Sequence, residues 1–318
     1  MSMCYSSQPI IRVHNLTKTK GNEAIVRNVT FHLKKGERLG IFGPRGSGKT
    51  TIMRILTAYI PPSDGMVTVA GYDVFTQSLD VRKRIGYLPQ SVSLYADMTV
   101  EDYLDFVAAL YKIQNRAERV ENTLTRVNLT QYAKTRIEKL PQGICKFVGL
   151  AQSIVHNPDV LILDEPTCGL TPPQIIEMQA LIKSLGGEYT LVLGTRTLSE
   201  AEQLCDRVLM LNKGRIVAED TPAHLTARLE GGQRIRLQTL FAPPDAVNLL
   251  QALDSVNRVS EVETGVFDIE CDCNADCRPV VAKAVVQHGW GLLELHVVDA
   301  SLEDVFLELT ADPVMAVV

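Results

Sequence analysis

A chain of 318 residues has room for one large domain and a small companion. Its hydrophobic fraction of 46% and charged fraction of 22% are ordinary for a soluble globular protein. The net charge is −5; the absence of an apolar run near the roughly 18–20 residues that span a bilayer, and of a signal-peptide pattern, makes a cytosolic chain the expectation, with a membrane still reachable through a partner.

In chain order, residues 10–16, 24–31 and 39–42 read as strands. The third runs into Gly43-Pro44-Arg45-Gly46-Ser47-Gly48-Lys49-Thr50, and a helix is expected over 51–59, beginning at Thr51. This stretch fits G-x-x-x-x-G-K-[ST] in the strand–loop–helix setting that the motif requires. The glycines let the backbone curl until successive N–H groups point at phosphate oxygens, and the helix adds its positive end. Lys49 is expected to reach the β- and γ-phosphates, and the Thr50 hydroxyl to ligate Mg²⁺. A turn at 61–65 introduces a strand at 66–70, and 85–88 reads as a short buried strand ending at Pro89. Gln90 follows, placed to contact Mg²⁺ and an attacking water and to sense the γ-phosphate.

Residues 91–157 change character. Thr99 with Asp102 reads as a helix cap, and apolar residues from Val100 to Tyr111 follow at helical spacing. A second amphipathic helix is expected over 116–127, and together these form a helical subdomain inserted into the sheet. Strands return at 160–163, 190–193 and 208–211; the intervening helices imply a parallel sheet. The first of them ends in Asp164-Glu165, paired acids that buried strands seldom carry without a reason. Asp164 is expected to hold Mg²⁺ and Glu165 to orient or deprotonate the attacking water. A hairpin turn at 212–214 and a capped helix over 221–229 lead to Gly231-Gly232, the expected domain boundary, so the domains read as 8–230 and 233–312. The remainder follows the order βαββαβα, which suits a small α+β domain of ferredoxin-like type. This segment is acidic: residues 231–318 carry 5 Lys+Arg against 14 Asp+Glu, which argues against nucleic acid as a partner. Seven scattered cysteines do not form a secreted disulfide framework. Cys271, Cys273 and Cys277 read as small thiols, with a thiolate metal site as the lesser alternative.

The order and spacing of these motifs resemble the ATP-binding subunits of ABC transporters, in particular the bacterial drug- and polysaccharide-export branch. The likeness rests on the phosphate loop, Gln90, a signature region at 140–144 and the run Leu161-Ile162-Leu163-Asp164-Glu165-Pro166-Thr167. Leu198-Ser199-Glu200 and Glu202-Gln203-Leu204-Cys205-Asp206-Arg207 add to it. The resemblance implies an α/β P-loop NTPase of ABC type, ATP and Mg²⁺ as ligands, and ATP hydrolysis coupled to export through a separate integral-membrane subunit. It also implies a head-to-tail homodimer or heterodimer, with the signature loop of one chain, here Gly143, facing the nucleotide of the other, and a place on the inner face of the cell membrane.

Four positions depart from the family pattern. Pro141 replaces the signature serine and offers neither hydroxyl nor N–H. Thr171 replaces the aspartate of Gly-Leu-Asp-Pro. Arg196 stands where the switch histidine belongs; it can bind phosphate but cannot relay a proton near neutral pH. Lys20 falls where an adenine-stacking aromatic is usual. The half-site that binds ATP-Mg²⁺ therefore reads as intact, whereas γ-phosphate sensing reads as altered. A regulatory or degenerate partner subunit with little hydrolysis of its own is the alternative, and intact Glu165 speaks against it. A ribosome- or DNA-acting ABC protein is disfavoured by the single nucleotide module, and a GTPase by Arg215 after Asn212-Lys213-Gly214.

Overall fold

The computed structural model describes residues 8–227, 234–271 and 276–297, together with 302, 306, 309 and 310. The chain divides into two compact units, Met1–Thr221 and Pro222–Val318. The division falls ahead of Gly231-Gly232, which lie outside the described residues.

In the first unit β1 (Ile11–Lys20) and β2 (Glu23–Leu33) form an antiparallel hairpin. There follow β3 (Arg38–Phe42), α1 (Lys49–Leu56), β4 (Asp64–Val69), β5 (Tyr72–Asp73), α2 (Ser78–Arg84) and β6 (Ile85–Leu88). The helical region holds α3 (Val100–Leu110), α4 (Arg116–Arg126) and α5 (Gln142–Ile154). Next come β7 (Val160–Asp164), α6 (Pro172–Leu185), β8 (Thr190–Thr195), α7 (Leu198–Leu204), β9 (Arg207–Asn212) and β10 (Arg215–Asp220). As the sequence suggested, Thr99 caps α3: its hydroxyl accepts the Asp102 N–H at 3.2 Å. β5 and α2 are not among the elements read from the sequence: α2 buries only Val81 and leaves Leu79 exposed.

Six strands lie in the order β10-β9-β3-β8-β7-β6, parallel from β9 to β6. Every residue of β7 and β8 is buried, as continuous apolar runs in a sheet covered on both faces require. A second, antiparallel sheet runs β2-β1-β4-β5. The buried face of α1 (Ile52, Met53, Ile55, Leu56) shares one apolar cluster with Val13, Val29 and Val67 of that sheet and with Leu39, Ile41, Ile162 and Val192 of the parallel one. The phosphate loop therefore opens a helix wedged between two sheets. The strand order matters for function: β3, β8, β7 and β6 are successive neighbours, so their carboxyl-end loops gather residues far apart in the chain.

The second unit holds α8 (Pro222–Ala227), β11 (Arg234–Thr239), α9 (Ala246–Gln251), β12 (Val256–Glu263), β13 (Val266–Cys271), α10 (Arg278–Gln287) and β14 (Leu292–Val297). From β11 onward this is a βαββαβ succession with an antiparallel sheet ordered β12-β13-β11-β14. Ile235, Leu237, Phe267, Ile269, Val281, Val285 and Trp290 form its core. Of the helix expected over 302–309, only Leu302, Phe306 and Leu309 are described. The reading of the cysteines needs correction. Cys271 and Cys277 form a disulfide between the end of β13 and the start of α10, and Cys273 lies outside the described residues. No cluster of three or more His, Cys, Asp or Glu suited to a metal occurs among the described residues.

Candidate functional site

Two glycines of the loop after β3 resist replacement, Gly43 for want of space and Gly48 for its backbone conformation. A Cβ on Gly43 would lie 2.5 Å from the Leu211 carbonyl oxygen, and Gly48 opens α1 at φ 104°. Ser47 and Lys49 are buried beside them, and the Ser47 hydroxyl finds no hydrogen-bond partner among the described residues. The Lys49 ammonium donates to the carbonyls of Gly43 and Pro44 and lies 3.8 Å from Oε1 of Glu165. Burial pushes its pKa below the usual lysine value, and Glu165 pulls the other way.

Asp164 ends β7 with 0% exposure, and neither carboxylate oxygen makes a well-formed hydrogen bond. Burial raises its pKa, and the neighbouring Thr50 hydroxyl opposes that shift. Two buried carboxylate oxygens without a well-formed hydrogen bond among the described residues, beside the Thr50 hydroxyl and a loop of phosphate-directed amides, form a hard oxygen set that suits Mg²⁺. Glu165, the next residue, sits at φ 50°, a left-handed conformation unusual for a glutamate. Its N–H donates to Gly194 O at 2.8 Å and its carbonyl accepts from Lys146 Nζ at 3.0 Å, so its backbone is fixed on both sides. Its carboxylate accepts from Arg196 Nε at 2.6 Å. The turn carrying Arg196 is itself held, because the Thr195 hydroxyl donates to the buried Glu200 at 2.5 Å and accepts the Thr197 N–H at 3.0 Å.

These groups share one cleft of about 160 Å³, lined by Ile25, Arg45, Gly46, Ser47, Gly48, Lys49, Thr50, Thr51, Gln90, Glu165 and Arg196. That is below the roughly 300–1,000 Å³ of enclosed ligand pockets. It suits a phosphate chain whose remaining parts extend beyond the cleft. Of the sequence-derived candidates, Gly43 and Pro44 do not line the cleft; their carbonyls accept from Lys49. Gly143 is not among the lining residues; a Cβ on it would fall 2.4 Å from Gln174 Oε1, in the first turn of α5.

Four contributors escaped the sequence reading. Ile25, not Lys20, borders the cleft, since Lys20 is exposed at the tip of the β1–β2 hairpin. Cys168 lies between Gln90 Nε2 at 3.8 Å and an Arg196 nitrogen at 3.7 Å. Gln174 accepts both the N–H and the hydroxyl of Thr171 at 3.1 Å. Lys146 is buried within α5, and a lone cation in an apolar helix was the available signal.

The ABC transporter family model matches residues 26–168. Along nearly its whole length the chain is also 30% identical to the linearmycin resistance ATP-binding protein LnrL of Bacillus subtilis, over 95% of this chain and 98% of that protein. The chain belongs to the ABC transporter ATP-binding proteins. The bacitracin transport ATP-binding protein BcrA of Bacillus licheniformis is 30% identical over 94% of this ABC protein and 97% of its own length. The Nod factor export ATP-binding protein I of Burkholderia orbicola is 32% identical over 94% and 96%. Among solved structures, cbiO1 from Clostridium perfringens, part of the ABC transporter complex cbiONQ, superposes with a TM-score of 0.63 at 25% identity over 70% of this chain and 92% of that one. An ATP binding subunit of an ABC transporter superposes at 0.64 and 23% identity, over 69% and 93%, a likeness of fold. The α/β architecture is thus that of ABC ATPases, a family that binds ATP. Within it, Pro141 is the N-cap of α5, where a missing N–H breaks no intrahelical bond.

Proposed function

We propose that this chain is the ATP-hydrolysing subunit of an ABC exporter, working on a separate membrane subunit. The observation that carries the reading is the convergence on one cleft of Lys49 and Thr50, Gln90, Glu165 and Arg196 from the ends of four neighbouring strands, with Asp164 buried beside them. In this reading the loop amides of residues 45–50 and Lys49 bind the phosphate chain. Thr50, Asp164 and Gln90 hold Mg²⁺, which when bound draws charge from the phosphate oxygens. Glu165 takes the proton of a water as its oxygen attacks the terminal phosphorus, and the bond to the β-phosphate oxygen breaks to leave ADP and phosphate. Gln90 orients that water, and the Arg196 guanidinium offsets charge on the terminal phosphate.

Export is supported by what the relatives are named for: linearmycin resistance, bacitracin transport and Nod factor export. No helix among the described residues is long and apolar enough to cross a membrane; the export reading assigns the translocation path to a separate membrane subunit. A groove of about 590 Å³, lined by Arg54, Tyr59, Arg82, Tyr87, Tyr111 and His156 among others, is the proposed seat for that subunit, on the inner face of the cell membrane. A second ATP-binding chain, identical or related, brings its own Gly143 turn to the cleft. The ATP-binding region is assigned to residues 8–230 and the α+β domain to 233–312.

A second reading, a regulatory subunit with little turnover, draws on Pro141, Thr171 and the ion pair that engages Glu165. Steady-state ATP turnover of the purified chain beside Glu165→Gln separates the two. Loss of turnover in the variant supports the enzyme; identical rates in both remove it.

A further inference from the structure

Glu165 occupies an unexpected place for a general base. Both of its carboxylate oxygens face cations of the cleft: Oε2 accepts from Arg196 Nε at 2.6 Å, and Oε1 lies 3.8 Å from Lys49 Nζ. These are the two side-chain cations that the proposed reaction assigns to the terminal phosphate. We propose that the Glu165 carboxylate and the terminal phosphate of a nucleoside triphosphate compete for this one pair of cations, so that Arg196 trades one anion for the other. The inference rests on the ATPase reading and adds to it a positioning residue and a basis for telling triphosphate from diphosphate.

Three features make the trade mechanical. The Glu165 backbone is pinned by Gly194 O and Lys146 Nζ, so the carboxylate moves by side-chain torsions alone. Among the described residues, the Arg196 guanidinium is anchored otherwise by the weak acceptor Cys168 Sγ at 3.7 Å, and its side chain is 36% exposed, so it has room to turn toward a new anion. Lys49 rests on the neutral carbonyls of Gly43 and Pro44, partners that an anionic phosphate outbids. A terminal phosphate that takes Arg196 thereby frees the base at the moment its water is needed. A diphosphate is one group shorter and leaves the pair closed.

The test is equilibrium binding to the full chain of two probes, ADP and a non-hydrolysable ATP analogue, each with Mg²⁺, by titration calorimetry. Glu165→Gln is expected to tighten the analogue about tenfold, the worth of one charge-assisted hydrogen bond, and to leave ADP within about twofold. Arg196→Ala should weaken the analogue by a similar factor, again sparing ADP, and the Glu165→Gln gain should shrink in the Arg196→Ala background. Arg196→Lys, which keeps the charge and loses the fork, should fall between Arg196→Ala and the parent. Equal shifts for both probes, no shift for either, or full additivity of the two substitutions would overturn the exchange while leaving the ATPase reading in place. Absence of binding by either probe to the parent chain overturns both.

Discussion

Asp164→Asn is expected to make the protein more stable and, at the same time, unable to respond to Mg²⁺-ATP. The carboxylate is fully buried, is ionisable, and has both oxygens without well-formed hydrogen bonds among the described residues. A buried polar group left without partners costs about 1–3 kcal/mol, and more when charged. The amide keeps the shape and cannot ionise, so a gain of about 1–3 kcal/mol is expected where the parent carboxylate is ionised. In a unit of this size that raises Tm by roughly 2–10 °C. The sign follows from the raised folded pKa of Asp164. The folded state holds its proton more tightly than the unfolded chain. The parent's penalty therefore grows as pH rises above the ordinary aspartate value and is complete above the folded one. The advantage of the variant should accordingly grow with pH above the ordinary aspartate range and vanish in strong acid. Thermal denaturation in a chelator, with and without added Mg²⁺-ATP, reads both effects. A variant that melts below the parent in the chelator, or that keeps the parent's full increment with Mg²⁺-ATP, refutes the argument.

Other outcomes follow from neighbouring features. His156 stacks on Tyr111 at 3.9 Å, pairs through Nε2 with Ile85 O at 3.0 Å, and leaves Nδ1 buried without a partner. Burial lowers its pKa from 6.5 to about 4. A base with a depressed folded pKa stabilises least in acid, so its contribution is whole above pH 6.5 and falls away toward pH 4, by about 3 kcal/mol in all. His156→Phe should lose less stability than the parent across that window in denaturant titrations at a series of pH values; parallel curves contradict the assignment. Pro141→Ser restores a hydroxyl and an N–H at the start of α5, and turnover per chain should rise about tenfold or more if the missing donor limits the reaction. An unchanged rate means that the signature substitution is not what limits it.

How far the sequence reached depends on how local each feature is. The phosphate loop and the Asp164-Glu165 strand end are contiguous, and each residue type there answers to one chemical demand, so both were legible. The pairing of Glu165 with Arg196 was not. It arises because β7 lies beside β8 in parallel register, with Asp164 opposite Gly194, and no pattern within either strand announces its neighbour. Ile25 was missed for the same reason, since its place depends on how far the β1–β2 hairpin extends before turning at Gly21. α2 was invisible because a helix that buries only Val81 has almost no apolar period to detect. The Cys271–Cys277 bond required knowing that the end of β13 and the start of α10 approach each other, which cysteine spacing alone does not reveal.

Calorimetric titration of the full chain and of Lys49→Ala with Mg²⁺-ATP tests the central assignment most directly. The account predicts saturable heat for the parent, and for the variant at least a tenfold loss of affinity, about the effect of removing one buried charged donor to phosphate. Matching isotherms for the two proteins, or no heat from either, would contradict it.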